Sequence, residues 1–229
     1  MLTRFGAFAA ICSAALYCGG AFASNVQVDT FKYPGGGTSS PSVTISGYGT
    51  VLAGEFVGLL DGNSFNTYCT ELKVFAGWGV SKVYGVELGT TQWGLTKAND
   101  LNRLFTNYYS AVNDVVTSQA MQFAVWEIIY ESSNNPYNVT SGSFSLDGVD
   151  ASETQANQWL ANLGTLGANY KQVDALVNPY PQVVVGEQKE FQNYLVVTQV
   201  PEPEAYGLAL AGMGVVAFAM RRRKAENKG

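Results

Sequence analysis

Residues 117–133 read TSQAMQFAVWEIIYESS, and Phe123, Val125, Trp126, Ile128 and Ile129 recur with the spacing of an α-helix rather than the alternation of a strand. A helix here decides the fold class, because the chain on either side has a different character. Residues 95–112, LTKANDLNRLFTNYYSAV, form a second helical segment across Asn113 and Asp114, and Thr117 or Ser118 is placed to cap the helix that follows. Upstream of Gly94, residues 26–33, 43–60, 65–75 and 80–88 are rich in β-branched and aromatic residues and broken by Gly, Asn and Asp, the pattern of strands joined by turns. Downstream, Asp150 and Glu153 at capping-box spacing open a helix that ends at Gly164, and a further helix is expected over 169–177. Residues 182–200, QVVVGEQKEFQNYLVVTQV, then read as a two-stranded hairpin turning near Gly186 and Glu187. Strands, then helices, then strands predict an α+β fold: a mostly antiparallel, barrel-like sheet with an inserted helical subdomain.

Both ends read as targeting segments. Arg4, the apolar run from Phe5 to Cys18 and the triplet Ala21-Phe22-Ala23 follow the order of a secretory signal. They predict a signal helix over 1–23 with cleavage after Ala23. A lipid anchor on Cys18 is the weaker alternative, because Tyr17 stands where small residues are required. At the other end, residues 205–220 are an uninterrupted apolar stretch followed at once by Arg221, Arg222, Arg223 and Lys224. The run predicts a membrane-spanning hydrophobic helix with residues 225–229 in the cytoplasm.

Pro201-Glu202-Pro203, a short hydrophobic helix and an arginine cluster, in that order, resemble the PEP-CTERM sorting tail of Gram-negative bacteria over residues 201–224. The resemblance implies export, recognition by an exosortase, cleavage near the Pro-Glu-Pro motif, and delivery of residues 24–200 to the cell surface or an extracellular polysaccharide matrix. The hydrophobic helix is then a transient anchor.

Between Ser24 and Val200 there are seven Lys plus Arg and fifteen Asp plus Glu, so this segment is more acidic than the whole chain with its net charge of -5. An acidic body without clustered cations argues against nucleic acid. Histidine is absent from the sequence, which removes Ser-His-Asp and Cys-His catalysis and histidine metal sites. No metal or other cofactor is implied. Asp147 and Asp150 lack the dense ligand pattern of a calcium loop. Glu127 and Glu131, one helical turn apart, offer paired carboxylates for glycoside cleavage, but the same spacing describes an ordinary solvated helix face.

Cys12 and Cys18 would leave with the signal, so Cys69 is the single cysteine expected in the exported body and has no internal disulfide partner. It lies in an expected strand as Tyr68-Cys69-Thr70-Glu71, and Gln122 lies in an expected helix as Met121-Gln122-Phe123-Ala124-Val125-Trp126. The two motifs together resemble the thioester domains of bacterial surface adhesins. There an aromatic-Cys-x-acid motif and a later Thr-Gln-x-Ala-Ile-Trp motif supply the partners of an internal Cys–Gln thioester. The match runs through Tyr68, Cys69 and Glu71, then Gln122, Ala124 and Trp126, with Val125 a conservative change and Met121 in place of the threonine. The resemblance implies covalent attachment to an amine or hydroxyl of a surface partner, with Glu71 as a proton shuttle. It describes single-turnover chemistry rather than an enzyme. The alternative is a non-reactive protein of the matrix or its exopolysaccharide, with Gln122 hydrogen-bonded to a strand and Cys69 filling space.

Overall fold

The computed structural model describes residues 22–33, 42–132, 135–147, 150–167, 170–179, 183–185 and 188–199, together with Met213. The fold is α+β, and its main sheet is antiparallel throughout. Six strands lie in the order β11 (Tyr194–Gln199), β8 (Lys171–Val177), β7 (Lys82–Glu87), β1 (Phe22–Phe31), β4 (Phe56–Leu60) and β5 (Asn63–Thr67). Two small sheets accompany it. One is the hairpin of β2 (Ser42–Ile45) and β3 (Gly49–Leu52); the other joins β6 (Val74–Phe75), β10 (Gln188–Glu190) and β9 (Val183–Val185).

The main sheet curls until its two edge strands meet at one end. Leu195 N donates to Tyr68 O at 3.0 Å, Thr67 Oγ1 to Leu195 O at 2.6 Å and Thr70 N to Asn193 O at 3.0 Å. Cys69 and Tyr194 form an isolated antiparallel bridge at this seam. The thiol therefore sits where the curled sheet closes, just beyond β5, rather than inside a strand as its sequence context suggests.

Helices fill the segment between β7 and β8. They are α1 (Gly89–Trp93), α2 (Leu95–Tyr108), a 3-10 turn (Tyr109–Ala111), α3 (Val115–Tyr130) and α4 (Ala151–Ala161). Every residue of α3 from Ser118 to Ile128 is buried, as befits a central helix with no solvent face. Its N-cap is Asp114 and not the expected Thr117 or Ser118. The Asp114 carboxylate accepts from Thr117 N, while Thr117 Oγ1 accepts from Asp114 N in a reciprocal box. Ser118 instead faces the sheet, its Oγ accepting from Glu55 N at 2.7 Å. The box at the start of α4 forms as read, with Asp150 accepting from Ser152 N and Glu153 N and Glu153 accepting from Asp150 N.

The expected helix at 169–177 is strand β8. Val173, Asp174, Ala175 and Leu176 are all buried, because β8 is flanked by β7 and β11 within the sheet and covered by α1 and α2. Burial on both faces removes the apolar–polar alternation that distinguishes a strand from a helix. The hairpin over 182–200 is also different in extent. β9 and β10 pair as expected, but the chain breaks at Phe191, whose φ of 66° lies in the left-handed region, and β11 crosses to the main sheet.

β1 begins at Phe22, so Ala23, the expected end of the signal, pairs with Gly85. The rest of the expected signal segment and the helix expected at 205–220 lie outside the described residues, apart from Met213. Among the described residues no helix is long and apolar enough to cross a membrane.

Candidate functional site

Helix α3 and the sheet seam bring Cys69 and Gln122 together across 53 residues of sequence. Cys69 Sγ lies 3.4 Å from Gln122 Oε1. The carboxamide is clamped by the cysteine's own backbone: Cys69 N donates to Gln122 Oε1 at 3.2 Å, and Gln122 Nε2 donates to Cys69 O at 2.9 Å. Cys69 is 3 % exposed and Gln122 0 %. A free glutamine in such surroundings would cost about 1–3 kcal/mol for each unpaired polar group, so the clamp explains how α3 tolerates it.

Burial pushes the Cys69 thiol far above its ordinary pKa and the Glu71 carboxylate adds to the effect, while Cys69's own backbone N–H and the Trp126 indole pull the other way. The thiol is thus protonated at neutral pH. Glu71 faces the same cavity, yet its Oε2 accepts from Asn193 N at 2.7 Å, which ties the carboxylate to the seam. Tyr130 OH donates to Thr70 O at 3.0 Å and fixes the next residue along.

Tyr68 and Trp126 are 1 % exposed and Ala124 and Met121 0 %. Tyr68 meets Phe105 edge-on with ring centroids 5.8 Å apart, and Trp126 is held between Phe123 and Phe144 at 6.4 and 6.2 Å. Met121 packs in the core and offers no hydroxyl, so the clamp on Gln122 comes from the Cys69 backbone. A cavity of about 170 Å³ reaches Cys69 and Trp126 from outside, walled by Phe31, Phe56 and Trp78. These three rings pack with centroids 4.6 to 5.5 Å apart. Sequence reading missed this wall. Phe31 and Phe56 end neighbouring strands whose pairing places them opposite each other, and only the register reveals that.

Glu127 and Glu131 do not form a solvated face. They are 0 % and 1 % exposed and hold the loop at 135–147 through main-chain N–H groups. Glu127 Oε1 accepts from Asn138 N at 2.6 Å; Glu131 accepts from Ser132 N and Asn135 Nδ2 on one oxygen and from Ser143 N on the other. Burial pushes the Glu127 carboxyl up to about 7, against the Asn138 N–H and with help from Glu131. For Glu131 burial pushes upward too, but the bonds from Asn135, Ser132 and Ser143 outweigh it and leave the carboxyl below its ordinary range. Gly142, at φ 110°, lies against this carboxylate so closely that an added Cβ would stand 2.0 Å from Glu131 Oε2. Neither glutamate lines the Cys69 cavity.

Asp150 is spent on capping α4, and among the described residues no group of three or more His, Cys, Asp or Glu side chains could hold a metal ion.

Residues 199–224 match the PEP-CTERM protein-sorting motif. The match takes in Pro201, Glu202, Pro203 and the arginines 221 to 223, and it marks an exported protein with a C-terminal sorting signal. No curated protein matches the chain in sequence. Among solved structures, the chain is similar to the N-terminal thioester domain of a surface protein from Clostridium perfringens, determined as a cysteine-to-alanine mutant. Sequence identity is 13 % and the TM-score 0.47, and the likeness covers 77 % of this chain and 99 % of that one.

Proposed function

We propose that the exported body, residues 24–200, is a surface or matrix protein that closes an internal thioester between Cys69 and Gln122 and uses it to attach covalently to a partner. The observation that carries this reading is the buried thiol 3.4 Å from the Gln122 carboxamide oxygen, with the carboxamide held at both ends by the backbone of the same cysteine. Cys69 N–H polarises the carbonyl, and it is the donor that would receive the oxyanion as sulfur adds to Gln122 Cδ. Cys69 O orients the nitrogen that departs as ammonia. Positioning of this kind can contribute roughly 7–11 kcal/mol relative to a bimolecular encounter. Water exclusion then keeps the acyl sulfur bond until an amine or hydroxyl enters through the aromatic cavity.

In this reading the signal leaves after Ala23, and an exosortase processes the chain near Pro201-Glu202-Pro203. The helix at 205–220, followed by Arg221, Arg222 and Arg223, holds the precursor in the inner membrane until then. Glu71 supports the seam and lies near enough to the thiol to influence its proton, as a shuttle would.

Methylamine provides the test. Treatment of the exported protein followed by peptide mass spectrometry is expected to place one methylamide on Gln122 and to free one thiol on Cys69. An unmodified Gln122 with Cys69 already titratable before treatment would refute the proposal. The second reading, a non-reactive matrix protein, is favoured by one fact: the two hydrogen bonds between the Gln122 carboxamide and the Cys69 backbone, one accepted and one donated by Gln122, already give both its oxygen and its nitrogen a partner.

A further inference from the structure

We propose that the indole N–H of Trp126 is the hydrogen-bond donor that holds negative charge on the Cys69 sulfur while the bond to Gln122 forms and opens. The proposal rests on the thioester reading of the site and gives it a residue for which packing alone does not account.

Trp126 is 1 % exposed, and its Nε1 is buried without a hydrogen-bond partner among the described residues. An orphaned buried donor costs about 1–3 kcal/mol, so an indole at this position carries a penalty that phenylalanine would not. Trp126 follows Gln122 by four residues on α3, which stacks the indole and the carboxamide on one face of the helix. Both Trp126 and Cys69 line the cavity that opens at the seam, and the indole already draws the thiol's pKa down against the effect of burial. In the resting arrangement the thiol is directed at Gln122 Oε1, and the indole N–H, which makes no hydrogen bond among the described residues, belongs to a side chain that shares the thiol's cavity and acts on its pKa.

The chemistry needs a donor there in both directions. In closure, the Sγ–Cδ bond forms, the Cδ–Nε2 bond breaks, and the thiol proton leaves with the nitrogen as ammonia. In opening by an amine, the N–Cδ bond forms, the Cδ–Sγ bond breaks, and a proton from the amine ends on sulfur. Sulfur carries charge between proton transfers in each case, while the Cys69 N–H is occupied by the carbonyl oxygen.

The test compares the full-length exported protein with its Trp126→Phe variant, which keeps a ring and removes the N–H. A hydrogen bond to a charged group corresponds to at least about a tenfold change in rate, so opening by methylamine should slow by that factor or more. The smaller ring leaves a gap between Phe123 and Phe144 that lowers the thermal midpoint whether or not the N–H is used, so the rate alone decides: a residue that only packs would leave it unchanged. An unchanged rate overturns the proposal. Should the variant fail to fold, the Trp126 indole N–H resonance of the parent protein and of Cys69→Ala decides. A shift between them supports the contact with sulfur, and coincident resonances overturn it. A parent protein whose intact mass is not lower by one ammonia would count against the thioester itself, whereas the indole resonance reports the N–H contact independently.

Discussion

Cys69 and Gln122 differ in what their removal should do to the fold. Gln122→Leu strands two buried backbone groups of Cys69, a loss of about 2–4 kcal/mol, whereas Cys69→Ala keeps both backbone bonds and costs on the order of 1 kcal/mol. Urea unfolding should order the two variants that way, in the reduced precursor form. The raised thiol pKa gives a second expectation. Through the neutral range only a small thiolate fraction exists, and it grows about tenfold per pH unit, so closure in freshly refolded protein should accelerate by about that factor from pH 7 to pH 8. A closure rate flat over that range would mean that the thiolate is not the attacking form. A glutamine inside an apolar helical run is conspicuous in sequence, and a lone cysteine is countable, so the pair was legible. Glu71 was named with them, but its tie to the seam was not readable, because its partner Asn193 lies 122 residues away and its carboxylate meets a backbone N–H that no sequence pattern marks.

At the scale of elements, α3 depends on its cap and on the loop it carries. Asp114→Ala removes the acceptor for Thr117 N and should cost about 1 kcal/mol, a drop of about 2–4 °C in the thermal midpoint of a chain this size. Glu127 supplies a pH signature. Its carboxyl titrates at about 7 in the folded protein against 4.5 ordinarily, so the folded state holds the proton more tightly. The stabilisation from this group is complete below about pH 4.5 and is lost as pH rises through 7. Glu127→Gln stays neutral and still accepts from Asn138 N, so its thermal midpoint should fall less between pH 5 and pH 7.5 than that of the parent protein. The capping box of α4 was readable because both partners lie within four residues. Strand β8 was not, since burial on both faces erases its alternation. The cap of α3 was misassigned by one turn because Asp114, Thr117 and Ser118 are all good caps, and only Ser118's contact with Glu55 N separates them.

For the whole molecule, the order of strands, helices and strands already implied an α+β body, and the three-part tail already pointed to a sorting signal. What sequence order leaves open is where the barrel-like sheet closes and through which strands. The sheet curls so that β5 and β11, far apart in the chain, meet at Cys69 and Tyr194, and α3 then seals the seam with Gln122. Fold and site are therefore one construction: the same residues that close the sheet hold the thiol against the carboxamide and away from water. The most direct test of that account is the intact mass of the exported protein, set against the mass calculated from its own determined termini. The account predicts a mass lower by one ammonia, a deficit that disappears on methylamine treatment and never arises in Cys69→Ala. A full mass with a freely titratable Cys69 thiol would contradict it.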